Sequence, residues 1–419
     1  MTDRFESRRQ LLKWLAASPL VAFPGFADLA AQTPGVRPPA RPEDPTIWAP
    51  RSPQELIATP EDAINVFDFE PVARRNVPPA HFGYMASGID DEVTLRANRE
   101  GFQKFQLRPR RLVDVSKVDM STDILGTRYA SPIVIAPVGG HRAYNPGGEL
   151  AVARAAKAGG HLMILSTQAS TSPEDVMAAR GGPIWFQLYA TNKWEVTKGL
   201  LARAERAGCP VVAVTIDRNG GRNQETLFRL QRTDTRDCSM CHDRGSLAAN
   251  YRTRPIYEGI DLSGLTNIQS SALTWDSVKR IRETTKMKVV LKGILAHEDA
   301  ELAVKAGVDG IIVSNHGARS EDSGRSTIDA LPDIVEAVRD RMPVLVDSGF
   351  RRGTDIAKAL CMGATAVAVG RPYIWGLGAF GQPGVEKVLA ILRTELFAIM
   401  QQVGAPTLGH LVPSMVRRA

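Results

Sequence analysis

The chain has 419 residues, of which 43% are hydrophobic and 23% charged, a composition that folds and that excludes a disordered chain. Lys plus Arg total 52 against 45 Asp plus Glu, for a formal charge of +7. No stripe of basic residues interleaved with aromatics accompanies that excess, which argues against a nucleic-acid partner; a basic mouth for small anionic substrates fits better.

The N-terminus reads as an address. Ser7-Arg8-Arg9-Gln10-Leu11-Leu12-Lys13 sets paired arginines before a short apolar run, Trp14 to Phe26, and small residues follow at Ala27, Ala30 and Ala31. The run is too short to span a bilayer, so residues 1–31 read as an export signal, and the twin arginine points to the Tat route and the periplasm. An amphipathic helix with an accidental Arg8-Arg9 pair is the plainer alternative. Residues 32–60 are rich in proline and read as an extended linker. No later segment is apolar and long enough to be a transmembrane helix.

From about residue 130 short apolar runs alternate with helical patterns, the mark of a parallel sheet with crossover helices. The runs are Ile133–Ala136, Leu162–Leu165, Ile184–Leu188, Val211–Ile216, Val289–Leu291, Gly310–Val313, Val344–Val346 and Ala366–Val369. Amphipathic or Ala-rich stretches such as Glu149–Ala158, Lys193–Ala207, Trp275–Thr284 and Asp355–Met362 separate them. Eight such units predict an α/β fold, a (β/α)8 TIM barrel over residues 61–415 with an N-terminal helical extension and an insert at about 225–265. Polar and small residues end every run: Pro137-Val138-Gly139, Ser166, Gln187 with Tyr189, Thr215 with Asp217, Lys292, Ser314 with His316, Asp347 with Gly349, and Gly370-Arg371. A barrel builds its active site at those ends.

Four stretches resemble a known family. They are Tyr84-Met85-Ala86-Ser87-Gly88 with Asp91-Glu92 and Asn98-Arg99; Val290-Leu291-Lys292-Gly293; Ser314-Asn315-His316-Gly317-Ala318-Arg319; and Asp347-Ser348-Gly349-Phe350-Arg351-Arg352-Gly353-Thr354. They resemble the FMN-dependent 2-hydroxy-acid oxidases and dehydrogenases, which include glycolate oxidase, lactate oxidase, mandelate dehydrogenase and flavocytochrome b2. The similarity runs from about Asn65 to Val412.

The resemblance implies FMN as cofactor and a small anionic 2-hydroxy acid as substrate, and it implies roles. His316 is the candidate base, since imidazole titrates near neutrality, and Asp217 matches the aspartate that orients it. Arg319 resembles the carboxylate-binding arginine, whose fork suits a planar carboxylate. The second arginine is expected seven residues beyond the aspartate, where Gln224 stands; Gly220-Gly221-Arg222 keeps the pattern with two residues deleted, so Arg222 takes the role, with a solvated loop arginine as alternative. Tyr84 and Tyr189 match two active-site phenols, either of which could instead be a core tyrosine. Lys292 is placed beside the flavin N1–C2 edge. Pro137, Val138, Gly139, Ser166, Gln187, Thr215 and Ser314 line the ring, Asp347 the ribityl chain, and Gly349, Arg351, Gly370 and Arg371 the phosphate. No metal site is expected in the barrel.

The chain also departs from the pattern. Gln168 stands where many relatives carry Trp or a small residue near the substrate, and Ser320-Glu321-Asp322 replaces Gln-Leu-Asp, so lactate is only the default small substrate. In the insert, Cys238-Ser239-Met240-Cys241-His242 is the attachment pattern of c-type haem; a short disulfide or free thiols, or a metal site, are the alternatives. The resulting expectation is an exported dehydrogenase, a homo-oligomer like its relatives, that passes electrons to a cytochrome or quinone. An oxidase using O2, and a flavin or haem electron carrier without turnover, are the competing readings.

Overall fold

The computed structural model describes residues 56–218, 220–235 and 246–419. The export signal of residues 1–31, most of the 32–60 linker, and Cys238, Cys241 and His242 lie outside the described residues. Leu56 and Ile57, inside the stretch read as linker, already pack against the core.

Eight parallel strands close a barrel: β1 (Ile133–Ile135), β2 (Leu162–Ser166), β3 (Trp185–Leu188), β4 (Val211–Thr215), β5 (Lys288–Ile294), β6 (Gly310–Val313), β7 (Val344–Val346) and β8 (Ala366–Val369), with β8 returning to β1. Among the described residues three short α-helices precede it: α1 (Phe69–Asn76), α2 (Pro79–Ala86) and α3 (Val93–Glu100). After β1 to β3 come α4 (Gly148–Gly159), α5 (Pro173–Arg180) and α6 (Trp194–Arg206). The connection after β4 carries α7 (Glu225–Gln231) and α8 (Leu247–Arg252) before α9 (Trp275–Thr284). After β5 to β8 come α10 (His297–Lys305), α11 (Thr327–Val338), α12 (Gly353–Cys361) and α13 (Arg371–Val403).

The strands are buried on both faces, and their side chains divide by the two-residue period of a strand. Val134, Ile164, Trp185, Ala213, Val290, Ile312, Leu345 and Ala368 form one cluster, the filling of the barrel, with Ile124 and Tyr129 of the hairpin 122–129 among them. Ile135, Leu165, Phe186, Val212, Leu291, Ile311, Val346 and Val367 belong to the second cluster, shared with the helices. Continuous apolar runs therefore reflect two cores rather than one.

Two details position the rim. Strand β5 runs longer than the expected Val289–Leu291, and its pairing with β6 shifts register between Lys292 and Ile294 around Gly293, whose φ is +115°. A Cβ there would lie 2.6 Å from the Cβ of Asp217, so the bulge needs glycine for conformation and for space. The N-terminal segment is locked onto the same rim: Asn98 and Asn315 exchange amide hydrogen bonds of 2.9 and 2.8 Å, and Arg99 donates to the Gly349 carbonyl and to Asp355.

Gly349 has φ +89°, and a Cβ there would stand 2.0 Å from the Asn98 carbonyl oxygen. Gly349→Ala is expected to cost about 2–4 kcal/mol of stability, read as a lowered denaturation midpoint in urea.

Candidate active site

At the C-terminal rim the side chains ending successive strands bond sideways to one another. Ser166 donates to Gln187 Oε1 (3.1 Å), and Gln187 Nε2 donates to Thr215 Oγ1 (2.9 Å). Lys292 Nζ donates to Ser314 Oγ (2.7 Å) and pairs with Asp347 Oδ2 (3.1 Å), whose other oxygen accepts from Ser348 (2.7 Å). All these groups except the half-buried Ser348 are buried, and each finds the partner that a low-dielectric site demands. Burial would push the Lys292 ammonium down, but Asp347 and Asp217 outweigh it and hold its pKa above the ordinary lysine value.

After β6 the chain makes a left-handed turn: φ is +59° at His316, +65° at Gly317 and +62° at Ala318. Such angles are costly for residues with a Cβ and are held by hydrogen bonds from the backbone amides of His316 to Ser314 Oγ (3.0 Å), Gly317 to Ser348 Oγ (2.9 Å) and Ala318 to Asn315 Oδ1 (3.0 Å). The turn brings both His316 and Arg319 to one cavity.

His316 Nδ1 lies 2.8 Å from Asp217 Oδ1 and its Nε2 lies 3.2 Å from the Tyr189 hydroxyl. Burial raises the Asp217 pKa, but His316, Lys292 and Arg218 together bring it below the ordinary value. An ionised carboxylate only accepts, so Nδ1 carries the ring proton and Nε2 keeps its lone pair toward Tyr189. The same burial, with Lys292 and Arg218 nearby, lowers the His316 pKa to about 4 against the pull of Asp217. At neutral pH the imidazole is therefore a free base.

Arg319 is buried and stacks 4.2 Å from the centre of the Tyr84 ring. Its Nη1 donates to the Tyr84 carbonyl, while its Nη2 is buried without a hydrogen-bond partner. An unspent guanidinium N–H beside a phenol is a place for a carboxylate. The Tyr84 hydroxyl is pushed up by burial, yet Arg319, Arg218, Arg222 and Arg254 outweigh that and lower its pKa.

The cavity is a cleft with about 830 Å³ of empty space, part of it open to solvent, and it joins two ends. His316, Tyr84, Tyr189, Arg319 and Gln168 line one; Gly349, Arg351, Gly370 and Arg371 line the other; Pro137, Val138, Gly139, Ser166, Lys292 and Asp347 lie on the same wall. Burial, then repulsion from Arg99 and Arg371, drops the Arg351 pKa to about 9, and burial with repulsion from Arg319 drops Arg371 to about 10. Crowded, desolvated cations beside the N-terminus of α13 call for a dianion. Lys292, with three N–H donors and two partners, keeps one for a ligand. The residues thus fit FMN, phosphate at the arginine end and ring edge at Lys292.

Some expected residues take other places. Gln187, Thr215 and Ser314 lie beneath the cavity wall, and Asp217 stands behind His316. Arg371 spends three N–H groups on the carbonyls of Met85, Gly317 and Ser87, so its side chain ties α2 to the signature turn. Arg222 lines an adjoining cleft with Arg218, Asn267 and Gln269, and Gln224 is buried against Ser87 (3.2 Å). Three residues at the substrate end escape the sequence reading. Arg218 stands 4.9 Å over the Tyr189 ring; Tyr251 donates its hydroxyl to Gln168 Oε1; Arg254 Nη1 donates to the Gln168 carbonyl (3.0 Å). Arg218 directly follows Asp217, the one sequence signal available.

Comparison with known proteins agrees with this geometry. The family model described as FMN-dependent dehydrogenase matches residues 73–418. Glycolate oxidase 1 of Zea mays is 40% identical over 361 residues, covering 83% of this chain and 94% of its own. A peroxisomal (S)-2-hydroxyacid oxidase of Arabidopsis thaliana is 38% identical, covering 85% of this chain and 97% of its own. Among solved structures, a soluble mutant of the membrane-associated (S)-mandelate dehydrogenase from Pseudomonas putida aligns with TM-score 0.77 and 33% identity over 85% of this chain and 100% of its own. The flavin-binding domain of baker's yeast flavocytochrome b2 aligns with TM-score 0.75 and 31% identity, over 85% and 87%.

An unfolded histidine takes its proton near pH 6.5, whereas His316 does so near pH 4. Between those values the unfolded state holds the extra proton, so this residue's contribution to stability falls as pH drops from about 6.5 to about 4 and is level below. Asp217→Asn removes the attraction that raises His316 and should move its titration lower still. Carbon-13 NMR of labelled histidine rings reads both midpoints; a His316 midpoint near 6.5 would contradict the assignment.

Proposed function

The chain belongs to the FMN-dependent dehydrogenase family, and on that premise we propose that it oxidises an (S)-2-hydroxy acid, L-lactate-like at its smallest, to the 2-keto acid. One observation carries the reading: the His316 Nε2 base, with Nδ1 held by Asp217, shares a cavity with the unspent Arg319 Nη2 and with Lys292. FMN, when bound, supplies the two-electron sink.

The chain's own residues supply the rest. Arg319, with the Tyr84 phenol, takes the substrate carboxylate and so fixes which face of the carbinol carbon meets the base. Tyr189 stands at hydrogen-bond distance from His316 and can hold the substrate hydroxyl there. His316 accepts a proton at Nε2, and the imidazolium so formed faces the ionised Asp217, which stabilises it. Lys292 places positive charge on the cavity wall where negative charge accumulates as the substrate is oxidised.

For the acceptor we propose a cytochrome or quinone met outside the cytoplasm. Arg8-Arg9 ahead of Trp14–Phe26 supports periplasmic delivery, and Cys238-x-x-Cys241-His242 supports a covalently bound haem as the exit for electrons. The likeness to plant glycolate oxidases favours a second reading, reoxidation by O2.

His316→Gln should slow anaerobic bleaching of the flavin by substrate at least about 1,000-fold while FMN stays bound; bleaching at the wild-type rate would overturn the base. Reoxidation of the bleached enzyme by cytochrome c against O2 separates the two acceptors. Arg8-Arg9→Lys-Lys should strand the protein in the cytoplasm, and a colourless band on haem staining of the exported enzyme would reject the haem.

A further inference from the structure

Around the substrate end of the cavity the charges do not balance. Four guanidinium groups, Arg319, Arg218, Arg222 and Arg254, act on the Tyr84 hydroxyl. The carboxylate recorded beside them is Asp217, already committed to His316 and Lys292. Among the described residues Arg218 and Arg254 form no salt bridge. The single carboxylate of a simple 2-hydroxy acid is satisfied by Arg319 and Tyr84, since one bidentate fork and one hydroxyl fill most of its acceptor directions. Arg218, Arg222 and Arg254, each half-buried, are then left over.

Gln168 links Arg254 to the cavity wall. It is 8% exposed and lines the cavity. Its Oε1 accepts from the Tyr251 hydroxyl and from Arg254 Nη1 (3.2 Å). Because arginine only donates, the amide orientation is settled by that bond. The Gln168 Nε2 is therefore turned the other way, toward the Tyr257 hydroxyl, and both atoms are buried without a well-formed hydrogen bond. Gly139 keeps the side chain close, since a Cβ there would lie 2.5 Å from the Gln168 Cβ. Arg254 is steadied by stacking 4.7 Å over the Tyr251 ring, and Arg218 by stacking over Tyr189. A buried donor that its neighbouring hydroxyl leaves without a well-formed bond, beside cations without anions, is a site for a second anionic group.

We propose that the substrate is a 2-hydroxy dicarboxylate whose distal carboxylate is held by Arg254, Arg218 and the Gln168 amide. This deepens the hydroxy-acid reading and rests on it. A chain with an apolar group at position 168 would offer its substrate a hydrophobic wall; this chain offers donors.

The test uses the FMN-loaded enzyme under anaerobic conditions. Flavin bleaching is followed with (S)-malate and (S)-2-hydroxyglutarate against (S)-lactate and (S)-2-hydroxybutanoate. The better dicarboxylate should exceed the better monocarboxylate in apparent second-order rate by about 100-fold. Arg254→Met and, separately, Gln168→Leu should each cut that ratio by about tenfold or more, with Arg254→Lys retaining part of it. A preference for the monocarboxylates, or a ratio that neither substitution moves, overturns the second anion site. Absence of bleaching by all four acids in enzyme that holds FMN overturns the hydroxy-acid reading itself.

Discussion

A lysine ammonium buried at the end of a barrel strand is the charge around which this site is arranged. Left alone at the end of β5, Lys292 would carry a desolvation penalty of several kcal/mol. Asp347 just after β7, Ser314 just after β6 and the nearby Asp217 just after β4 offset it. Removing one partner of such a pair typically costs about 3–5 kcal/mol because the other is stranded. Asp217 can come close only because residue 293 has no side chain, and it in turn fixes the tautomer of His316. Cation, carboxylate and base are thus one construction, and the bulge in β5 is its hinge point.

The second construction is the brace that the N-terminal segment forms across the rim. The left-handed turn at His316 to Ala318, bonded within the rim to Ser314, Ser348 and Asn315, is also held from outside. Asn98 meets Asn315, Arg99 meets the Gly349 carbonyl and Asp355, and Asp322 accepts the amides of Val93 and Thr94 at 3.1 and 2.7 Å. Arg371 and Arg319 reach from the other side to carbonyls of Met85, Ser87 and Tyr84. Substrate clamp and phosphate end are therefore coupled through α2 and α3, which contribute no strand to the barrel.

The barrel was legible in the sequence because parallel strands buried on both faces leave unbroken apolar runs, and because a buried run that ends in Lys, Asp or Asn-His has no structural reason to do so. Trp275–Thr284 is found with the expected ends. The signature string was legible through its resemblance to the family, whereas its left-handed bend at His316 to Ala318 was not. The substrate end was not. Arg254 and Tyr251 lie on the long connection after β4, where no helical or strand period relates them to the barrel, and their meeting with Gln168 is a matter of tertiary packing alone. Counting residues from Asp217 singled out Arg222 and passed over Arg218, which lines the same cleft and also stands over the Tyr189 ring.

The last strand of the fold adds a constraint in time. Residues 416–418 pair antiparallel with 105–107, and the β8 edge closes on β1. On the ribosome, the first barrel strand waits with an open edge until β8, more than 230 residues downstream, has emerged, and the 105–107 strand waits longer still. Completion therefore waits on distant pairings and is nearly all-or-none, the slow regime for such a topology. Until then the outer margin of the first barrel strand offers unpaired backbone groups to any other strand that meets it.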